Sequence, residues 1–284
     1  MHRVPARGLL MYAGSLLEQL PDLDRWFGTH QKIDRLAFRE LQKVMAHAQD
    51  VAFPDIEAIL KFEGRDGPDG IKMKSPAQDE PWHFYNPLDA NDTMLLDIIA
   101  DHQTKLTAAL RASSQTQASF QAAWLAHAVV DGLTPAHHYP YESELEKLRG
   151  AGKESRNSTK GKLLVPGETK RKMVRNNWQM WGDKGLLATH LAFEMGVALV
   201  ILPVRLRDFA LPPKQAARIK NKELYRTFYR TQAKRVAGLK LYEQFYRSGW
   251  TPRYAAAIRK QLVPLIVEAV VLAWYAAYTE AAKK

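Results

Sequence analysis

The stretch Ala123–His138 reads AWLAHAVVDGLTPAHH. His127 and Asp131 are four apart in a helical segment, so at about 3.6 residues per turn both project from nearly the same face. Gly132 and Pro135 end that helix, and His137 follows at once, turned back toward the same region. A neutral imidazole and a carboxylate are ligands that zinc accepts at about 2.0–2.2 Å. Taken alone, the first pair is commonly just a side-chain hydrogen bond across one turn. The stretch Gly185–Ile201, GLLATHLAFEMGVALVI, repeats the spacing with His190 and Glu194 in a helix that is apolar on nearly every side. Burying an imidazole and a carboxylate there is costly unless they pair with each other or share a cation.

The same helical period governs the rest of the chain. Apolar positions predict helices over His30–Ala48, Asp92–Ala112, Gln115–Val130, Lys184–Leu202, Gln215–Arg247 and Pro252–Ala282. Strand-like alternation is almost absent, and glycine and proline fall where helices should end, at Gly132 with Pro135, Pro203, Pro212–Pro213 and Gly249 before Pro252. The expectation is one all-α, multi-helix domain over residues 1–284, with residues 1–25 as a leader or extension. The apolar run Leu262–Tyr278 is interrupted by Pro264 and Glu268, and reads as a buried core helix rather than a membrane span. Two segments break the pattern. Glu63–Pro87, rich in glycine, proline and charge, reads as a long loop of the kind that serves a site. Residues 142–182 read as a basic insertion, either a solvated excursion or a flap that attracts phosphate.

At 284 residues, 46% of them apolar and 25% charged, the chain can bury a sizeable core. It contains no cysteine, which excludes disulfides, thiolate metal sites and cysteine nucleophiles. The net charge of +11 favours a polyanionic partner: nucleic acid, an anionic membrane surface or a phosphorylated substrate. Basic residues precede a short apolar stretch at the N-terminus, but Glu18 interrupts it, so it makes a poor secretion signal. Location stays open, either cytoplasmic or exported with processing of the leader.

Three further residues extend the histidine–carboxylate theme. His83 sits within PWHFYNP at the end of the long segment, Asp55 follows Pro54 where it is equally a helix cap, and His30 opens HQKIDRLAFREL facing inward beside Ile33 and Ala37. Single histidines of this kind are more often packed than ligating. The ordered set nevertheless resembles the zinc-dependent phospholipase C family and its relatives, the fungal single-strand-specific nucleases. That superfamily shows an early helix opening with histidine, an aspartate, a His-Phe-Tyr-like motif, His-x-x-x-Asp with a histidine six residues on, and a late His-x-x-x-Glu or His-x-x-x-Asp. Here these are His30, Asp55, His83 in HFYNP, His127, Asp131, His137, and His190 with Glu194.

The resemblance implies zinc as cofactor, in two or three ions. One would take Asp55, His83, His127 and Asp131, a second His137, His190 and Glu194, and a third would share Asp131 and use His30. Asp55 would also orient the attacking water. The implied activity is hydrolysis of phosphodiesters by a metal-activated water, with a phospholipid or a nucleic acid as substrate. The family's third ion is bound by an N-terminal tryptophan, whereas Trp26 follows 25 residues. The remaining histidines read as bland: His47 hydrogen-bonded or exposed, His102 solvated, His138 an alternate to His137. Most tryptophans, Trp124 among them, read as packing, while Trp82, Phe84, Tyr85 and Tyr139 are placed to rim a substrate mouth. Among other classes, a non-catalytic helical protein binding metal and anionic surfaces stays open, and a di-iron oxidase lacks its Glu-x-x-His pairs.

Overall fold

The apolar C-terminal run forms a helix buried along nearly its whole length, around which the other long helices assemble. The structure is a computed structural model, which describes residues 28–45, 51–204, 219 and 221–283. Its helices in chain order are α1 (Thr29–Met45), α2 (Ile56–Leu60), α3 (Pro68–Lys74), α4 (Met94–Arg111), α5 (Gln115–Gly132), α6 (Tyr141–Arg149), α7 (Thr159–Leu163), α8 (Lys170–Trp181), α9 (Leu186–Ile201), α10 (Lys222–Gly238), α11 (Leu241–Ser248), α12 (Pro252–Ala257) and α13 (Val263–Ala281). Among the described residues there is no strand, so the fold is all-α. His47 and Trp26 lie outside the described residues, as does the end of the first predicted helix.

Helix α13 packs against α1, α4, α5 and α10. Its apolar surface has the length of a membrane span, yet 78% of that window is buried by protein, as the core-helix reading expects. Polar side chains on α13 and on the helices around it are satisfied by backbone carbonyls. The Tyr225 hydroxyl donates to Ala269 O at 2.9 Å, the Trp274 indole N–H to Ala122 O at 2.9 Å, and the Tyr229 hydroxyl to Val129 O at 3.1 Å. These bonds let large amphipathic rings fill the core without stranding a donor. On α5, the fully buried Ala118, Ala122, Ala123 and Ala126 let neighbouring helices approach closely.

Side-chain caps start α2, α7, α8, α10 and α12 at Asp55, Ser158, Thr169, Asn221 and Thr251. Two predicted helices are interrupted. Gln215–Arg247 is not one helix, because Lys240 at φ 51° lies in the left-handed region and separates α10 from α11. Pro252–Ala282 contains a π-helical turn, Ile258–Leu262, just ahead of Pro264. Proline has no N–H to donate and its ring crowds the carbonyl four residues back, and the wider turn relieves both.

The two irregular segments are folded, contrary to the reading from composition. Within 63–87 lie two short 3₁₀ turns and α3, which starts with Pro68 at its first turn. Gly70 is required there: a Cβ at that position would lie 2.0 Å from the Arg65 carbonyl oxygen. The basic insertion contributes α6, α7 and α8, with Val165 and Met180 buried against Phe84, Tyr141 and Leu145. Several of its cations act internally. Arg156 is buried against Glu142, and Lys153 lies 4.4 Å above the Trp82 ring. Lys162 pairs with Glu80 at 2.6 Å and donates to the carbonyls of Lys72 and Ser75. The insertion therefore braces the segment that carries α3.

Candidate metal centre

Four elements bring the histidines together. His30 stands in the first turn of α1, His127 and Asp131 on the last turns of α5, His137 on the 3₁₀ turn Pro135–His138, and His190 with Glu194 on α9. Two groups result, each with donor atoms within 4.8 Å of one another: His30, Asp69 and His127, and His137, His190 and Glu194. In the first group the His30 and His127 rings stack at 3.8 Å, nearly parallel. Their Nε2 atoms face the same carboxylates: His127 Nε2 lies 3.4 Å from Asp131 Oδ2 and 3.7 Å from Asp69 Oδ1. His30 Nε2 lies 3.5 Å from Asp131 Oδ1 and 4.0 Å from Asp69 Oδ2. Asp131 Oδ1 also lies 3.4 Å from His137 Nδ1, so this carboxylate stands between the two groups.

These separations test whether zinc fits. Ligands about 2.0–2.1 Å from a tetrahedral ion lie roughly 3.3–3.4 Å from one another. The Asp131 contacts match that spacing and are long for hydrogen bonds. In the second group, by contrast, Glu194 Oε1 lies 2.9 Å from His137 Nε2 and 3.0 Å from His190 Nε2, which are proton-sharing distances. The donor set is oxygen and imidazole nitrogen, and His137 Nδ1, which faces Asp131, is buried without a hydrogen-bond partner among the described residues. A divalent cation fits this set.

Electrostatics tell the same story. Burial opposes charging of His127, but the Asp131, Glu63 and Asp69 carboxylates outweigh it and raise the imidazole well above its ordinary value. His137 is raised in the same way by Asp131 and Glu194. Burial likewise opposes ionisation of Asp131 and Glu194, yet neighbouring histidines hold both well below the usual carboxylate range. Burial lowers His30 and His190. The carboxylates and the imidazoles of His127 and His137 thus favour each other's charged forms, and a metal bound here would compete with protons for those imidazoles.

The structure revises two of the expected site residues, Asp55 and His83, and adds Glu63 and Asp34. Asp55 is exposed, and its side chain accepts from Ala58 N at 2.7 Å as the cap of α2, so the carboxylate at the histidines is Asp69 on α3 instead. His83 lies close, its ring 5.1 Å from that of His137, but it joins neither group. Its Nδ1 donates to Pro81 O at 3.0 Å, and its Nε2 accepts from Lys72 Nζ at 2.9 Å. Behind His127, buried Glu63 accepts from Nδ1 at 3.1 Å, which fixes Nε2 as the lone-pair nitrogen facing the centre. Asp34 is fully buried with neither oxygen bonded among the described residues, and burial and the Glu63 charge raise it well above the carboxylate range. Its position four residues after His30 was the available sequence signal.

The neighbouring histidines and aromatics sort as follows. His138 turns away, its Nε2 donating to Gly132 O at 2.9 Å. His102 is half-buried rather than solvated, and bonds Gln121 at 2.7 Å. Both His102 and Trp124 line a cavity of about 340 Å³ that opens beside Asp69, Lys72, His83, His127 and Asp131, with Trp82 on its wall. Phe84 and Tyr85 are buried and do not rim a mouth; Phe84 stacks on Tyr141 behind His190. Comparison with family models, curated proteins and solved structures returned no match to this chain.

Proposed function

We propose that the chain is a zinc-dependent phosphodiester hydrolase of the phospholipase C kind. The observation that carries this reading is Asp131: one buried carboxylate faces three imidazoles, at spacings suited to ligands that share ions rather than protons. His30, Asp69, His127 and Asp131 would hold one ion, and His137, His190 and Glu194 a second; Asp131 meets the His137 ring at Nδ1 and Glu194 meets it at Nε2, so that ring stands between the two. Bound there, zinc lowers the pKa of water toward about 7 and neutralises phosphoryl oxygens. Glu63, accepting from His127 Nδ1, holds that ring with Nε2 toward the centre. No side-chain nucleophile is needed.

The cavity wall supports a substrate class. Its metal-facing end is walled by Asp69, His127 and Asp131, while Trp82, Trp124, Asp79 and Asp101 also line it. Aromatic faces with carboxylates suit a cationic head group and disfavour a second phosphate. A zwitterionic phospholipid fits that chemistry. The two tryptophans also suit a stacked base, which favours single-stranded nucleic acid as the second reading. Incubating zinc-loaded and chelated protein with phosphatidylcholine vesicles and with single-stranded DNA tests both. Zinc-dependent release of phosphocholine is the expected result. Turnover of DNA alone would move the assignment to a nuclease, and turnover of neither, with no zinc retained, would sink it.

A further inference from the structure

Lys72 lies one turn beyond Asp69 on α3, and the backbone around it is fixed. Lys162 of the basic insertion donates to the Lys72 and Ser75 carbonyls, closing the end of that helix. The side chain turns toward the centre. His83 commits Nδ1 to Pro81 O, so the lone pair on Nε2 points at whatever cation stands before it, and that cation is the Lys72 ammonium at 2.9 Å. The carboxylates of Asp69, Glu194, Asp131 and Glu80 are the negative charges acting on it. Lys72 also lines the cavity beside Asp69, His127 and Asp131. An ammonium carries three donors, and His83 is its hydrogen-bond partner among the described residues.

We infer that Lys72 is a resident cation of the centre: its ammonium occupies the place of an ion that His83 would otherwise ligate, and it donates to an oxygen of the bound phosphate. The inference rests on the phosphoesterase reading above and deepens it. It explains why His83 stands beside both histidine groups yet belongs to neither. It also gives the brace from the basic insertion a purpose, since a lysine can replace a metal only if its backbone does not drift. The centre then needs two ions, not three.

Zinc content by elemental analysis and binding of inorganic phosphate by calorimetry test this on the full chain. The wild-type protein should hold two zinc ions, and His83→Ala should leave that count unchanged. Lys72→Met should keep both ions and bind phosphate about tenfold more weakly or worse, as loss of a charged hydrogen bond implies. Lys72→Arg, which keeps the charge, should recover most of that affinity and controls for folding. A third ion that disappears in His83→Ala would overturn the inference, as would phosphate affinity in Lys72→Met within about twofold of wild type. A wild-type protein that binds two ions and phosphate but cleaves no diester would refute the hydrolase reading alone. One that binds no zinc would refute both.

Discussion

Asp131 is the residue on which the centre turns. Asp131→Asn replaces one carboxylate oxygen by an amide nitrogen and removes the negative charge that faces three imidazoles, so the variant should lose bound zinc as well as hydrolysis, read by elemental analysis beside the activity assay. Zinc retained at the wild-type level would remove Asp131 from the ligand set. Asp55 and Asp69 make a sharper contrast, because each begins or nearly begins a short helix. Asp55→Ala should leave zinc content untouched and cost about 0.5–2 kcal/mol of stability as a lost cap. Asp69→Ala should weaken zinc binding with little effect on the cap of α2. Reversal of the two outcomes would restore Asp55 as the ligand. Both aspartates follow a proline-containing turn, and nothing local says which one faces the histidines. The close approach of Gly70 to the Arg65 carbonyl seats α3 on the turn before it, a contact between residues that composition alone did not pair.

At the level of elements, the α10–α11 junction is the clearest test of backbone argument. Lys240 has φ 51° and ψ 36°, a conformation that costs an L-residue about 1–2 kcal/mol and glycine much less. Offset by the greater freedom of glycine in the unfolded chain, Lys240→Gly should stabilise the protein by about 0.5–1 kcal/mol in urea denaturation. A loss of stability would mean that the Lys240 side chain makes a contact worth more than the strain. The break was invisible in the sequence, because the run Gln215–Arg247 carries a helical period throughout and Lys240 is an ordinary helix former. The interruption at Ile258–Leu262 had a local cause, Pro264, but the remedy, a π turn, did not follow from proline alone. The basic insertion shows the opposite limit. Composition read it as solvated charge or a phosphate-attracting flap, yet Arg156 finds Glu142 within the insertion and Lys162 finds Glu80 outside it, which turns part of a charge run into a brace.

For the molecule as a whole, the centre makes stability depend on pH and metal together. The raised folded-state values of His127 and His137 mean that their pairing with Asp131 and Glu194 is fully present below the unfolded value of 6.5 and is lost as pH rises through the folded values. The metal-free protein should therefore show a falling Tm as pH rises past neutrality. His30 and His190 act on the other side: held low by burial, they withdraw stability as pH drops below 6.5. Zinc needs neutral imidazoles, so it should release protons on binding and abolish the alkaline fall. Melting curves from pH 6 to 9, with chelator and with zinc, check this; superimposable Tm profiles would argue against any metal at these residues.

The all-helical class, the core role of the last helix and the pairs His127–Asp131 and His190–Glu194 were all legible from residue order. A helical repeat and an i,i+4 spacing are consequences of backbone geometry within one turn, and near neighbours along the chain fix them. Asp69, Glu63 and Lys72 were not legible, and Asp34 carried only its spacing of four from His30. Asp69, Glu63 and Lys72 are common charged residues with no local mark, and each acquires its role only when packing sets it against groups up to a hundred or more positions away. Which side chains share one small volume is a property of long-range contacts, and the local pattern of a sequence does not encode those contacts.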